Sequence, residues 1–434
     1  MKKTLLIFIA VFIGFSLWAD DEDNSVNYAE NNPKNETVYS WELEEKFEEK
    51  QPFRMKDRVF EIGLVNISVG VANDFLTARG ILQKNAVIDL DELARGFRAS
   101  LSFDYSPFNI KFNWKNKWGF GLANTHVEAS GNTEISGNLL GLKNADKDKF
   151  GVGAAVFVDV GFPGFFHIKK FKIKARPAWY TPLAYAEPDF SYTNKEVTNP
   201  DGSTGTILEL TYDMRIYTPF SLKDIVDEGS FDGKFSPGFL GFDLSGGVEY
   251  PLFTWLDLGV DIKNIPLVPA KLQYYMQMRG SLFVDTSKIN FNDILDGKEL
   301  PDDAYNIPDD FDFVYGSGKK YILRPFKMVF FADYHPFDTR VLSLIPSLGF
   351  AVNPLYVKPG SVEGGLKLRC DLANIFIPTI GIVYEDRLWK NGIDLVLNLR
   401  ALEFDFGLVF QSQNFVKSWQ GGGFGVNWGM KIGW

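Results

Sequence analysis

The sequence predicts an all-β fold: a transmembrane antiparallel β-barrel of about fourteen strands, with sixteen as the alternative. Three observations carry this expectation. Along most of the chain apolar side chains recur at every second residue, the period of a strand with one apolar face. The final eleven residues show it most clearly, with Phe424, Val426, Trp428, Met430, Ile432 and Trp434 alternating with Gly425, Asn427, Gly429, Lys431 and Gly433. That is also the length a tilted strand needs to cross a hydrocarbon layer. The third observation is composition: 15% aromatic residues and 40 glycines favour extended chain and tight turns.

The same composition excludes several function classes. With 45% apolar and 23% charged residues, the 434-residue chain is neither disordered nor collagen-like. Its single cysteine, Cys370, rules out a disulfide framework. With only three histidines it also lacks the ligands for zinc fingers or iron–sulfur clusters, and no cofactor is expected. A net charge of -10 argues against a nucleic-acid partner.

The chain divides into three parts. Residues 1–19 read as a signal peptide, with basic Lys2-Lys3, an apolar run from Leu5 to Trp18, and Ala19 before Asp20-Asp21-Glu22-Asp23. A retained anchor is the alternative, but the apolar run is short of the ~20 residues a spanning helix needs. Residues 20–56 form an acidic periplasmic extension. Between 20 and 50 it holds eleven acids against three bases, too little apolar content to fold alone. Trp41, Leu43 and Phe47 could form a short helix there; a solvated tail is the simpler expectation. Residues 57–434 make the barrel.

Within the barrel, Phe97 to Tyr105, Ile110 to Trp114, Phe171 to Ala175, Leu366 to Cys370, Ile393 to Leu399 and Leu402 to Phe410 each alternate cleanly. One face is aromatic or aliphatic; the other carries charges of both signs. A spanning barrel requires this, with apolar residues toward lipid and a polar lumen. In lipid every backbone group must be paired, so the strands must close on themselves. Short connections are expected at 250–254 and 390–392 on the periplasmic side. Long polar loops are expected at 129–148, 186–206 and 286–320 on the outside.

Motifs that could carry chemistry are weak. Gly316-Ser317-Gly318-Lys319-Lys320 lacks the glycine spacing and the Ser or Thr of a phosphate loop. The acids at 302–312 lack the glycine and glutamate of a calcium loop. His126 shares its strand face with Asn124 and Glu128, but no nucleophile is marked beside it, and no enzyme activity is expected. The candidates that remain are charges on the lumen parity: Arg98, Asp104, Lys111, Lys172, Lys174, Arg176, Lys367, Arg369, Asp394, Arg400, Glu403, Asp405 and Lys431. They either pair across neighbouring strands and seal the interior, or set the selectivity of a pore.

The terminal strand resembles that of bacterial outer-membrane barrels, whose closing aromatic is read by the barrel-assembly machinery; Trp434 holds that place. The resemblance implies that machinery, and outer-membrane lipid, as partners. Gly246-Gly247-Val248-Glu249-Tyr250 and Leu258-Gly259-Val260-Asp261-Ile262-Lys263-Asn264, with the stretch from Ala401 to Trp434, are similar to the outer-membrane hydrophobic-compound transporters, the family of the long-chain fatty-acid channel. That family's N-terminal plug sequence has no counterpart here. The resemblance implies passive uptake of small hydrophobic solutes; a structural or adhesion barrel with a filled lumen is the alternative.

Overall fold

The computed structural model describes residues 58–73, 96–114, 117–122, 124–136, 151–198, 204–223, 225, 235–285, 288, 305–306, 313–337, 341–356 and 359–434. The signal and acidic segments lie outside the described residues. Strands β1 (Phe60–Asn73), β2 (Gly96–Ser106), β3 (Asn109–Trp114), β4 (Trp118–Leu122), β5 (Asn124–Ser136), β6 (Gly151–Gly161), β7 (Gly164–Ile168) and β8 (Phe171–Thr198) open the barrel. They are followed by β9 (Thr204–Thr218), β10 (Gly241–Phe253), β11 (Leu256–Val268), β12 (Ala270–Asp285), the short β13 (Tyr305–Asn306), β14 (Phe313–Ile322) and β15 (Phe326–Tyr334). Next come β16 (Leu342–Val352), β17 (Gly360–Cys370), β18 (Phe376–Glu385), β19 (Leu388–Asn398), β20 (Leu402–Ser412), a one-turn helix α1 (Phe415–Trp419) and β21 (Gly423–Gly433).

All strand pairings are antiparallel, and they close: β21 pairs β1 from Glu61↔Gly433 to Ala72↔Gly423. The wall has fourteen positions. Eight are single strands, and six are built from pieces in line: β2/β3, β4/β5, β6/β7, β9/β10, β11/β12 and β14/β15, the last with the two-residue β13 in line above β14. Pro107, Pro163, Pro219, Pro269 and Pro325 fall in five of these breaks. A proline has no N–H for the ladder, so a long strand bends or parts there. Short segments merge into fourteen positions for this reason, which decides between fourteen and sixteen.

The two faces sort as the alternation requires. On β20 and β21, Leu402↔Ile432, Phe404↔Met430, Phe406↔Trp428, Leu408↔Val426 and Phe410↔Phe424 pair on one face, and Glu403↔Lys431 and Gly407↔Asn427 on the other. Phe406, Phe410, Phe424, Trp428, Ile432 and Trp434 are all exposed on the outer surface. Cys370 is half-buried and free.

Several expected loops are strand. The end carrying Arg58 and Trp434 is taken as the lower end. Residues 390–392 lie inside β19, and the chain reverses at Asp386 and Arg387, at the upper end. Both residues have positive φ, 51° and 63°, as a two-residue hairpin turn demands. The Asn-Gly pair looks like that turn but serves the ladder. Residues 250–253 likewise belong to β10, but the expected short reversal is present beside them, at Thr254 and Trp255 at the lower end. The span 186–206 is mostly ladder, since β8 and β9 pair from Tyr185↔Tyr217 to Thr198↔Thr204. At 28 residues β8 extends roughly 90 Å, far more than a bilayer core. Its upper half therefore extends beyond a bilayer core, although Ala186, Pro188, Phe190 and Tyr192 still alternate with Glu187, Asp189, Ser191 and Thr193. Residues 316–320 lie in β14, and residues 129–136 in β5. The acids at 302–312 all lie outside the described residues.

Candidate functional site

At the lower end the wall encloses a cavity of about 790 Å³. Alternate residues of β8 put Lys172, Lys174 and Arg176 on it, and β3 adds Lys111. Phe165 of β7 points inward because Gly119 on the neighbouring strand has no side chain where the ring lies. The Lys172 ammonium stands 6.0 Å from the centre of that ring. Eight Lys or Arg line the cavity against five Asp or Glu. Lys172 is 3.1 Å from Glu249, which Lys174 also contacts. Arg58 and Lys431 share Glu403 at 2.8 and 2.7 Å, and Lys111 is 3.7 Å from Glu61. With cations outnumbering the carboxylates between them, the cavity carries a positive field.

Another charge cluster joins β2, β5, β6, β8 and β10 to the β14/β15 break. Arg324, beside Pro325, reaches Asp159 at 2.9 Å, Asp243 at 3.3 Å and Glu128 at 3.5 Å. Arg176 also contacts Asp159. The His126 ring lies between Asp159 at 3.1 Å and Asp104 at 2.8 Å. Asp159 and Asp243 are each only 1% exposed, so bulk water is excluded from them. Here four carboxylates face two guanidiniums and one imidazole, opposite in balance to the cavity.

Two further groups fill the interior. Phe157, Tyr180, Tyr185, Tyr217, Leu272 and Ile322 form a buried apolar cluster. The Tyr180 hydroxyl donates to the carbonyl of Ile322 at 2.9 Å. On the other side of the barrel Lys327 lies 2.7 Å from Glu363 and contacts Glu385, and Lys390 lies 3.1 Å from Glu385. Ser343 and His335 approach to 3.1 Å, with Asp257 3.7 Å from the same ring. Each of that Ser–His pair is 2% exposed, which leaves no room for a substrate at the hydroxyl. Among the described residues, no group of three or more His, Cys, Asp or Glu could hold a metal ion.

The expected lumen residues separate by height. Lys111, Lys172, Lys174, Arg176, Glu403 and Lys431 line the cavity. Asp104 belongs to the Arg324 cluster through His126. Arg369 is 3.8 Å from Asp371, and Asp394 accepts from Asn427 at 3.4 Å. Asp405 lies on the inward face of β20 against Gly429, and Lys367 on that of β17 against Gly381. Arg400 is different. It is not on a strand but in the lower turn between β19 and β20, exposed, with φ 67°, and its carbonyl accepts from Arg58. The alternation that placed it on the lumen side ends at Asn398. Arg98 pairs with Glu134 in the ladder, but its side chain is outside the described residues.

Sequence reasoning missed Arg58, Glu249, Asp159, Asp243 and Arg324. The same alternation carried a signal for three of them: Asp159 in Val156-Phe157-Val158-Asp159-Val160, Asp243 between Phe242 and Leu244, and Glu249 between Val248 and Tyr250. Arg324 sits where no strand pattern exists, beside a proline.

No family model matches the sequence, and no curated protein matches it. Among solved structures the chain is loosely similar to the toluene transporter TodX of P. putida, at 7% identity over 92% of this chain and 93% of that one, with a TM-score of 0.42. The CymD monoaromatic hydrocarbon channel is 7% identical over 88% and 89%, with a TM-score of 0.45. A Pseudomonas aeruginosa FadL homologue is 9% identical over 86% and 90%, with a TM-score of 0.40.

Proposed function

We propose that the chain is an outer-membrane conduit through which small solutes with apolar bodies pass down their own gradient, without bond chemistry. The observation that carries this reading is the cavity of about 790 Å³ inside a closed wall. Its lining combines the Phe165 ring and the proline rings of Pro163 and Pro251 with ion-paired lysines, so it can accept an apolar body while the charged stems stay paired. The outer apolar face supports a place in lipid, and the aromatic alternation of β21 supports delivery by the barrel-assembly machinery. The lumen-facing charges then act as the selectivity lining.

A second reading has its own observation. Asp159, Asp243, Phe157 and Tyr180 are buried to 1% exposure within the barrel, as in a filled structural or adhesion barrel. Single-channel recording of purified protein in planar bilayers, with swelling assays on small neutral aromatic solutes, separates the two. Discrete openings and solute-dependent swelling support the conduit. A silent bilayer, with folded protein verified on the same preparation, supports the filled barrel.

A further inference from the structure

We propose that residues 353–356, between β16 and β17 at the upper end, are the conduit's constriction: a strap seated across the lumen that sets which solutes pass. The inference rests on the transport reading above.

The strap is built. The Asn353 side chain accepts from the Leu355 N–H at 3.0 Å, and the Tyr356 N–H donates to the Asn353 carbonyl at 3.2 Å. Its base is tied to the neighbouring β18–β19 hairpin. The Tyr356 hydroxyl donates to the Asp386 carbonyl at 3.2 Å, and the Arg387 guanidinium lies 5.0 Å from the centre of the Tyr356 ring. Arg387 also donates to the Gly360 carbonyl at 3.2 Å, binding the hairpin to the strand that follows the strap.

Its tip is held by the far wall. Leu355 is 7% exposed and packs in the apolar cluster with Phe157 and Tyr180. The Leu355 carbonyl accepts from the Asn132 side chain of β5 at 3.2 Å. The same carbonyl lies against Gly153 of β6, in the space a side chain there would take. Strands β5 and β6 stand almost diametrically opposite the β16–β17 connection on a fourteen-position circumference. A loop that reaches them crosses the lumen. Among the described residues the tip is held by one hydrogen bond, one backbone fit that needs glycine, and one leucine. Such a seat releases without disturbing the wall, because the β16–β17 ladder closes at Val352↔Gly360 below it.

The test uses the full chain in a Cys370→Ser background, with KCl conductance in planar bilayers and labelling of Leu355→Cys by a membrane-impermeant maleimide in proteoliposomes. With the wild-type seat, the thiol introduced by Leu355→Cys labels slowly and conductance is low. Gly153→Ala, which puts a methyl where the Leu355 carbonyl sits, raises both the labelling rate and the conductance several-fold. Asn132→Ala does the same more weakly and leaves the backbone fit intact, so a folding failure of Gly153→Ala does not remove the test. Fast labelling of the Leu355→Cys thiol with Asn132 and Gly153 in place, together with a wild-type Leu355 conductance that neither seat variant raises, overturns the proposal, because the strap is then not seated. Faster labelling in both seat variants, with unchanged conductance through a conducting barrel, also overturns it and leaves the transport reading standing. No conductance in any variant defeats the transport reading itself and the strap's role with it.

Discussion

Arg324 shows how much one side chain decides in this barrel. Its guanidinium meets three carboxylates from three other wall positions, at a point where the chain has broken for a proline. A guanidinium presents several donors in a fixed fork, which a lysine cannot reproduce. Arg324→Ala therefore leaves Asp243 buried without its main counter-charge, and leaves Asp159 to Arg176 and His126 alone. The loss expected on removing one partner of a buried ion pair is roughly 3–5 kcal/mol, measurable as a lower urea midpoint for unfolding from detergent micelles. Arg324→Lys should recover only part of it. The outer face gives a residue-scale contrast. Phe406 is 47% exposed at the middle of β20, so Phe406→Arg should cost about 2–4 kcal/mol in a bilayer. Val409 faces inward against Gly392 and Gly425, and Val409→Arg should be better tolerated. Equal losses for the two, read from folded yield in lipid vesicles, would overturn the face assignment.

At the scale of the element, β21 does more than present an aromatic end. The Trp434 carbonyl accepts from the N–H groups of Val59 and Phe60 at 2.9 and 3.0 Å, and its own N–H donates to the Phe60 carbonyl at 3.0 Å. The Phe60 and Trp434 rings lie 4.7 Å apart. Deleting Trp434 removes the last rung of the closing ladder together with the aromatic contact. The expected outcome is a reduced outer-membrane yield and a lower thermal midpoint in the fraction that folds. Trp434→Phe should restore most of both, since it keeps the backbone rung and an aromatic ring. Full yield and midpoint for the deletion would overturn this role. The element scale also shows where the sequence was legible. β20 and β21 read correctly to within a residue because lipid on one side and a polar lumen on the other enforce strict alternation. β8 above Ala186 and nearly all of β14 did not, because Pro188 with Asn199-Pro200-Asp201-Gly202, and Gly316 with Gly318, are residues that punctuate a chain as loop, while the ladder holds both segments extended.

For the whole molecule, closure needs only the strands. β1 begins at Phe60, and Arg58 already pairs with Glu403 on β20. Deleting residues 20–50 should therefore leave heat-modifiable mobility on gels unchanged. Loss of the folded band would place that segment within the barrel's cooperative unit. Conductance provides a separate reading: a rise in the truncated protein would assign the acidic segment to the cavity, whose lining is positive.

The barrel class, the lipid-facing set and the polarity of the lumen are all written in the residue order. Each follows from a local rule, that neighbouring residues on a strand in a membrane face opposite media. The same rule marked six of the residues that line the cavity, because alternation alone says which charges point inward. Alternation cannot carry the pairings, and these came from the folded chain. Partners such as Arg324 and Asp159 are 165 residues apart in the sequence, and Asn132 and Leu355 are 223 apart. Whether an inward charge lines a cavity or is sealed in an ion-pair cluster depends on which strand comes opposite it. That is fixed by the number of wall positions and by the heights of the proline breaks, and no short stretch of sequence contains either.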